Sequence, residues 1–176
     1  MNDPKLKELR KVMGKHDKLV YEMVKAGMVS ELPPESQLYA RAIQEHLHLK
    51  HIHNALEFAD LREGEPYEIT VDGNPVNPLA HLLAHAAAKG QIGADPVVRA
   101  AFEKMVATGA SAHHAEHVLG AMFFEVQWEL GRAAGAGKDP AKALAIYRRK
   151  LKKLDRDSAF RRKITRQFSA DHSVFE

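Results

Sequence analysis

Residues 77–90 read NPLAHLLAHAAAKG, an apolar, alanine-rich run opened by Asn77-Pro78 and closed by Gly90. An Asx side chain can accept the first free backbone N–H groups of a helix, and proline fits its first helical position. The run therefore predicts a helix from Pro78 to about Gly90. The same Asx-Pro signal recurs at Asp95-Pro96 and Asp139-Pro140, so these helix starts share one signature.

Working outward, Asp3-Pro4 opens a helix to about Ala26, with Leu6, Leu9, Val12, Met13, Leu19, Val20, Met23 and Val24 at amphipathic spacing, Gly14 weakening its middle and Gly27 ending it. ELPPES punctuates the chain. A second helix is expected over about 34–60, where Leu38, Ala42, Glu45, Leu49, Ile52, Leu56 and Ala59 step by four and three along one face. A fourth ends at Gly109, a fifth runs from Ser111 to about Ala134, and a sixth starts at Pro140. The stretch near 62–77 breaks the periodicity and reads as an irregular loop or a small hairpin turning at Asp72-Gly73; AAGAG reads as a loop. The expectation is an all-α bundle of about five to six helices. Residues 1–150 would form a single domain with a His-rich core, and 151–176 a basic C-terminal extension.

The chain has 176 residues, a net charge of +3 and no cysteine, which excludes thiolate metal sites and disulfides. No apolar run approaches the roughly 20 residues that a membrane span requires. The N-terminal stretch carries charge throughout and lacks a signal-peptide apolar region, so a cytoplasmic protein is expected. Histidine is the outlier: of eleven, nine fall between positions 46 and 117.

On the helix from Pro78, Leu79, Leu82, Leu83 and Ala86 form one face, and Ala80, His81, Ala84, His85 and Ala88 the other. A four-residue step puts both imidazoles on adjacent turns, within reach of one ion. Hydrogen bonds to solvent or carboxylates are the alternative. In SAHHAEHVLGAMFFEVQWELGR, Ala115, Leu119, Met122, Val126 and Leu130 share one face while His114, His117, Ala121, Glu125 and Trp128 share another. Imidazoles and a carboxylate on one helix face are the parts of a bundle metal site. His113 and Glu116 fit a solvated helix start. In EHLHLKHIH, Glu45 sits on the apolar stripe, His53 lies at its edge, His46 and His48 flank it, and His51 points to solvent. Glu45-x-x-His48 has the spacing of di-metal carboxylate bundles but lacks a second copy, favouring a mononuclear, His-rich site.

The order of these motifs resembles a bacterial family of uncharacterised proteins, domain of unknown function 1841. The resemblance covers roughly 35–150 and rests on Asn77, Pro78, His81, His85, Gln91, Asp95, His117, Glu125 and Trp128, with His53 matching a histidine in the preceding helix. Gly90 departs from a glutamate the family often carries, and the segment after about Leu151 extends past the usual domain. The resemblance implies a shared His/Glu site and no particular activity.

The leading expectation is a divalent transition metal (iron, zinc, manganese or nickel) held by His81, His85 and His117, with Glu125 or His53 completing the shell and His114 in reserve. Hydrolytic or oxygen-handling chemistry would suit such a centre, without a substrate being identified; bis-histidine haem binding ranks lower. The alternative is a non-enzymatic nucleic-acid- or ribosome-associated protein using YRRKLKKLDRDSAFRRKITRQF, whose cationic side chains could neutralise phosphates. Homo-oligomerisation is compatible with either.

Overall fold

A computed structural model describes residues 3–65, 67–71, 74–135 and 139–169; the expected Asp72-Gly73 turn and the last two residues of AAGAG lie outside them, while its first three belong to a helix rather than the expected loop. Among the described residues there are eight α-helices, two short 3-10 turns and one two-stranded hairpin. The helices are α1 Pro4–Lys25, α2 Pro34–His46, α3 Lys50–Glu57, α4 Pro78–Ala94, α5 Pro96–Ala107, α6 Ala112–Gly135, α7 Pro140–Arg156 and α8 Ser158–Ser169. The excursion before α4 is a hairpin, with β1 Ile69–Val71 antiparallel to β2 Asn74–Val76. The all-α class holds.

The Asx-Pro starts are capped as the sequence requires. Asn77 Oδ1 accepts from the Leu79 and Ala80 N–H groups, Asp95 from Val97 and Asp139 from Ala141. Two breaks explain why there are more helices than expected. The segment 34–60 is not one helix: Leu49 turns extended, and its N–H closes a tight turn on His46 O at 3.0 Å. One straight helix would carry Glu45 on the buried stripe, where its carboxylate would be desolvated. The break leaves Glu45 exposed and buries Tyr39, Ala42, Ile43 and His46 from α2, then Ile52, Ala55 and Leu56 from α3. At the second break, Asp157 Oδ1 accepts from the Ala159 and Phe160 N–H groups and starts α8.

The described residues fall into two compact units, with the boundary inside α4 between Ala86 and Ala87. In the first, α1 packs on α2, α3 and the 3-10 turn Ala59–Leu61. Gly14 of α1 lies against this turn; a Cβ there would meet Ala59 O at 2.4 Å. Gly64, with φ of +82°, would likewise meet Lys7 O at 2.4 Å. Buried Asp17 is pushed up by desolvation, which the Tyr39 hydroxyl, His16 and Arg62 partly offset.

The second unit is built on α5, α6, α7 and α8 around Val98, Met105, Leu119, Met122, Leu151 and Leu154. Position 151 is no boundary in the structure: α7 runs through it, and Leu151 and Leu154 are fully buried. Buried Arg161 of α8 donates to the Leu154 and Asp155 carbonyls, closing the C-terminal end of α7. Gln91 and Asp95 are tied to α7 by the Tyr147 hydroxyl, 2.5 Å from Gln91 Oε1, and by Arg148, 3.1 Å from Asp95 Oδ2.

Burial, reinforced by Asp95, pushes the Tyr147 phenol up to about 12. The unfolded phenol ionises near 10, so stability present below pH ~10 is lost progressively as pH rises toward 12. Denaturant melts at pH 8 and 11 should show a smaller alkaline loss for Tyr147→Phe than for wild type. Equal losses would refute the assignment.

Candidate metal centre

The first unit gathers three imidazoles. His46 closes α2, while His81 and His85 sit one turn apart on α4; their relative exposures are 1%, 8% and 0%. The His46 ring lies 4.8 Å from that of His81 and 4.6 Å from that of His85, centroid to centroid, and the His81 and His85 rings are 5.0 Å apart.

The His46 tautomer is set by its neighbour. Its Nδ1 lies 2.6 Å from Ala42 O, which can only accept, so Nδ1 carries the proton. Nε2 of a neutral His46 is then the nitrogen that carries the lone pair, and it lies 3.1 Å from His81 Nε2. Ring nitrogens also approach between His46 and His85, each offering one within 4.8 Å of the other. A metal-bound imidazole commonly has its second nitrogen fixed by a carbonyl in this way. With metal–nitrogen bonds of about 2.0–2.1 Å, adjacent donors stand about 2.9 Å apart on an octahedral ion and about 3.4 Å on a tetrahedral one. The observed 3.1 Å lies between these values. It also suits an N–H···N hydrogen bond from His81 to His46, the arrangement open to these rings when no ion binds.

The second unit carries a histidine pair on α6. His113 and His117 are half-buried, with Nε2 atoms 3.1 Å apart and ring centroids 4.7 Å apart. This corrects the reading of His113 and Glu116 as a solvated helix start: Glu116 is buried and accepts an ion pair from Lys89 at 2.9 Å. His114 is half-buried, and its backbone N–H is taken by Ser111 Oγ.

Other expected ligands are engaged elsewhere. Both Glu125 oxygens accept from Lys150 Nζ, at 2.8 and 2.7 Å, beside an open cleft of about 380 Å³ between α6 and α7. His53 is exposed, with Nδ1 2.6 Å from the Tyr21 hydroxyl. Glu45 and His48 do not share a helix, because α2 ends at His46 and His48 lies in the turn. His51 is half-buried, and burial holds its imidazole below the usual value.

Sequence reasoning placed His46 beside the stripe and did not single it out as a ligand. The available signal was its position one residue after Glu45: once the stripe rejects the carboxylate, the next inward position belongs to residue 46.

In the basic segment, Arg148, Lys150 and Arg161 have the partners named above, and Lys153 lies 5.4 Å from the Phe160 ring centroid. Arg149, Lys152, Arg156, Arg162, Lys163 and Arg166 are exposed. No described helix is long and apolar enough to cross a membrane. No family model, curated protein or solved structure matches the chain.

Proposed function

We propose that this protein binds a divalent transition-metal ion through its clustered histidines, with His46 and His85 as principal ligands and His81 beside them. The observation that carries the reading is the Nδ1–H of His46 held by Ala42 O, which leaves the Nε2 lone pair facing a second histidine inside the fold. Three neutral imidazoles bring no charge to offset the ion, so such a centre needs further donors or water-derived ligands. Imidazole suits zinc, iron and nickel better than manganese, which prefers oxygen. Glu125 enters the proposal less readily, because both its oxygens already serve Lys150, and so does His53, which is exposed on α3.

Elemental analysis of the protein after loading with zinc, iron or nickel and desalting tests the reading. Wild type should retain about one ion per chain, His46→Ala and His85→Ala close to none, and His53→Ala the wild-type amount. A folded wild type that retains no ion, or a His46→Ala protein that retains as much, would sink it. The expectation that His117 contributes to the same ion is tested by His113→Ala/His117→Ala: loss of the ion supports it, and full retention removes both from the ligand set.

A further inference from the structure

Helix α1 buries Val20, Tyr21 and Val24, yet it also exposes a second apolar line. Leu9, Val12 and Leu19 are 53%, 58% and 58% exposed. With His16, Met23 and Ala26 they follow the sequence spacing 9, 12, 16, 19, 23, 26, alternating steps of three and four. That is the a/d repeat of a coiled coil, and its 3.5-residue period keeps the line facing a neighbouring helix. The line lies roughly 120° around the helix from the buried face, at about 100° per residue. Leu9, Val12 and Leu19 therefore lie off the intramolecular core, while His16, at the centre of the line, also reaches Ser36 Oγ at 3.2 Å and stacks on Tyr39 of α2.

We infer that α1 is a self-association surface, pairing antiparallel with α1 of a second copy of this chain. In that pairing a positions meet d positions. His16 lies beside Leu19 of the second copy, Val12 beside its Met23, and Leu9 beside its Ala26, each contact occurring twice by symmetry. The flanking charges select this direction. Lys15 and Glu22 both precede a positions, and the antiparallel register brings each level with its opposite in the other copy. A parallel pair would set Glu8, Lys15 and Glu22 against Met13, Val20 and Gly27, leaving no charge matched. Glu22 already accepts from Lys18 and Lys25 on its own helix, so Lys15 adds to an existing ionic cluster. The seam from Leu9 to Ala26 is short, about 27 Å at 1.5 Å per residue. Because α1 is already folded on its unit, association does not bear the cost of helix nucleation.

Light scattering behind size-exclusion chromatography should give a mass of twice 19.6 kDa for the wild type. Val12→Glu/Leu19→Glu, both exposed positions, should give the single-chain mass with unchanged far-ultraviolet circular dichroism, and Lys15→Glu should move the dimer to higher concentration. The absence of native cysteine makes orientation directly readable. Val12→Cys mixed with Met23→Cys should form a mixed disulfide on mild oxidation, in preference to either homodimer. A single-chain mass for wild type at every concentration, a dimer unaffected by Val12→Glu/Leu19→Glu, or preferential Val12→Cys homodimers would overturn the inference.

Discussion

Zinc or nickel added in excess should raise the Tm of the wild-type protein by roughly 5–10 °C, with little change for His46→Ala or His85→Ala. The magnitude follows from linkage. An ion that binds only the folded state, at a free concentration about 100 times its Kd, stabilises by about 2.7 kcal/mol. For a chain of this length each kcal/mol is worth about 2–4 °C. The effect needs a preformed donor set, and the buried rings of His46, His81 and His85 provide one without refolding. Removing His46 takes away an imidazole whose tautomer its own helix sets. Protons compete for the same lone pairs, so the metal-induced shift should shrink on acidification. An equal shift in wild type and His46→Ala would place the ion elsewhere, on exposed histidines such as His48 or His53.

Gly14→Ala should lower stability by about 2 kcal/mol, although alanine ordinarily gains 0.5–1 kcal/mol over glycine within a helix. A methyl group at residue 14 would meet Ala59 O at 2.4 Å and Ala59 C at 3.2 Å. The obstacle is backbone, so no side-chain rotation relieves it; α1 and the 3-10 turn must separate. Gly131→Ala on α6 provides the contrast. Its added Cβ has nothing within 4 Å, and the substitution should gain stability by the ordinary helical preference. Denaturant melts of the two variants should therefore shift in opposite directions. A neutral or stabilising Gly14→Ala would show that α1 and the turn do not touch there in solution.

The parts of the fold that were legible in the sequence are those decided by neighbours in the chain. Asn77, Asp95 and Asp139 cap helices because the groups they serve lie two or three residues ahead. The helix breaks were not legible in the same way. The pattern Leu38–Ala59 fits one long helix, and only the cost of burying Glu45 argues against it. That break also explains why His46 was read as a flanking residue: its inward direction depends on where α2 stops. Glu125 illustrates the opposite limit. Its face on α6 was read from spacing, but its partner Lys150 is 25 residues away on another helix. Glu116 and Lys89, 27 residues apart, form a pair that helix periodicity does not reveal. His81 and His85 were legible as a pair because a step of four on a helix fixes their neighbourhood.

The two close approaches on α1 have a consequence for how this chain can vary. Lys7 O abuts Gly64 and Gly14 abuts Ala59 O, so one helix is pinned to the same following segment at two points seven residues apart. Those pins act as a gauge. One residue inserted between them would twist everything beyond it by about 100° and move a side chain into the place that only glycine fills. The interval 7–14 should therefore tolerate substitution at its outward positions and refuse any change of length. Lengthening belongs before Lys7, where the gauge does not reach.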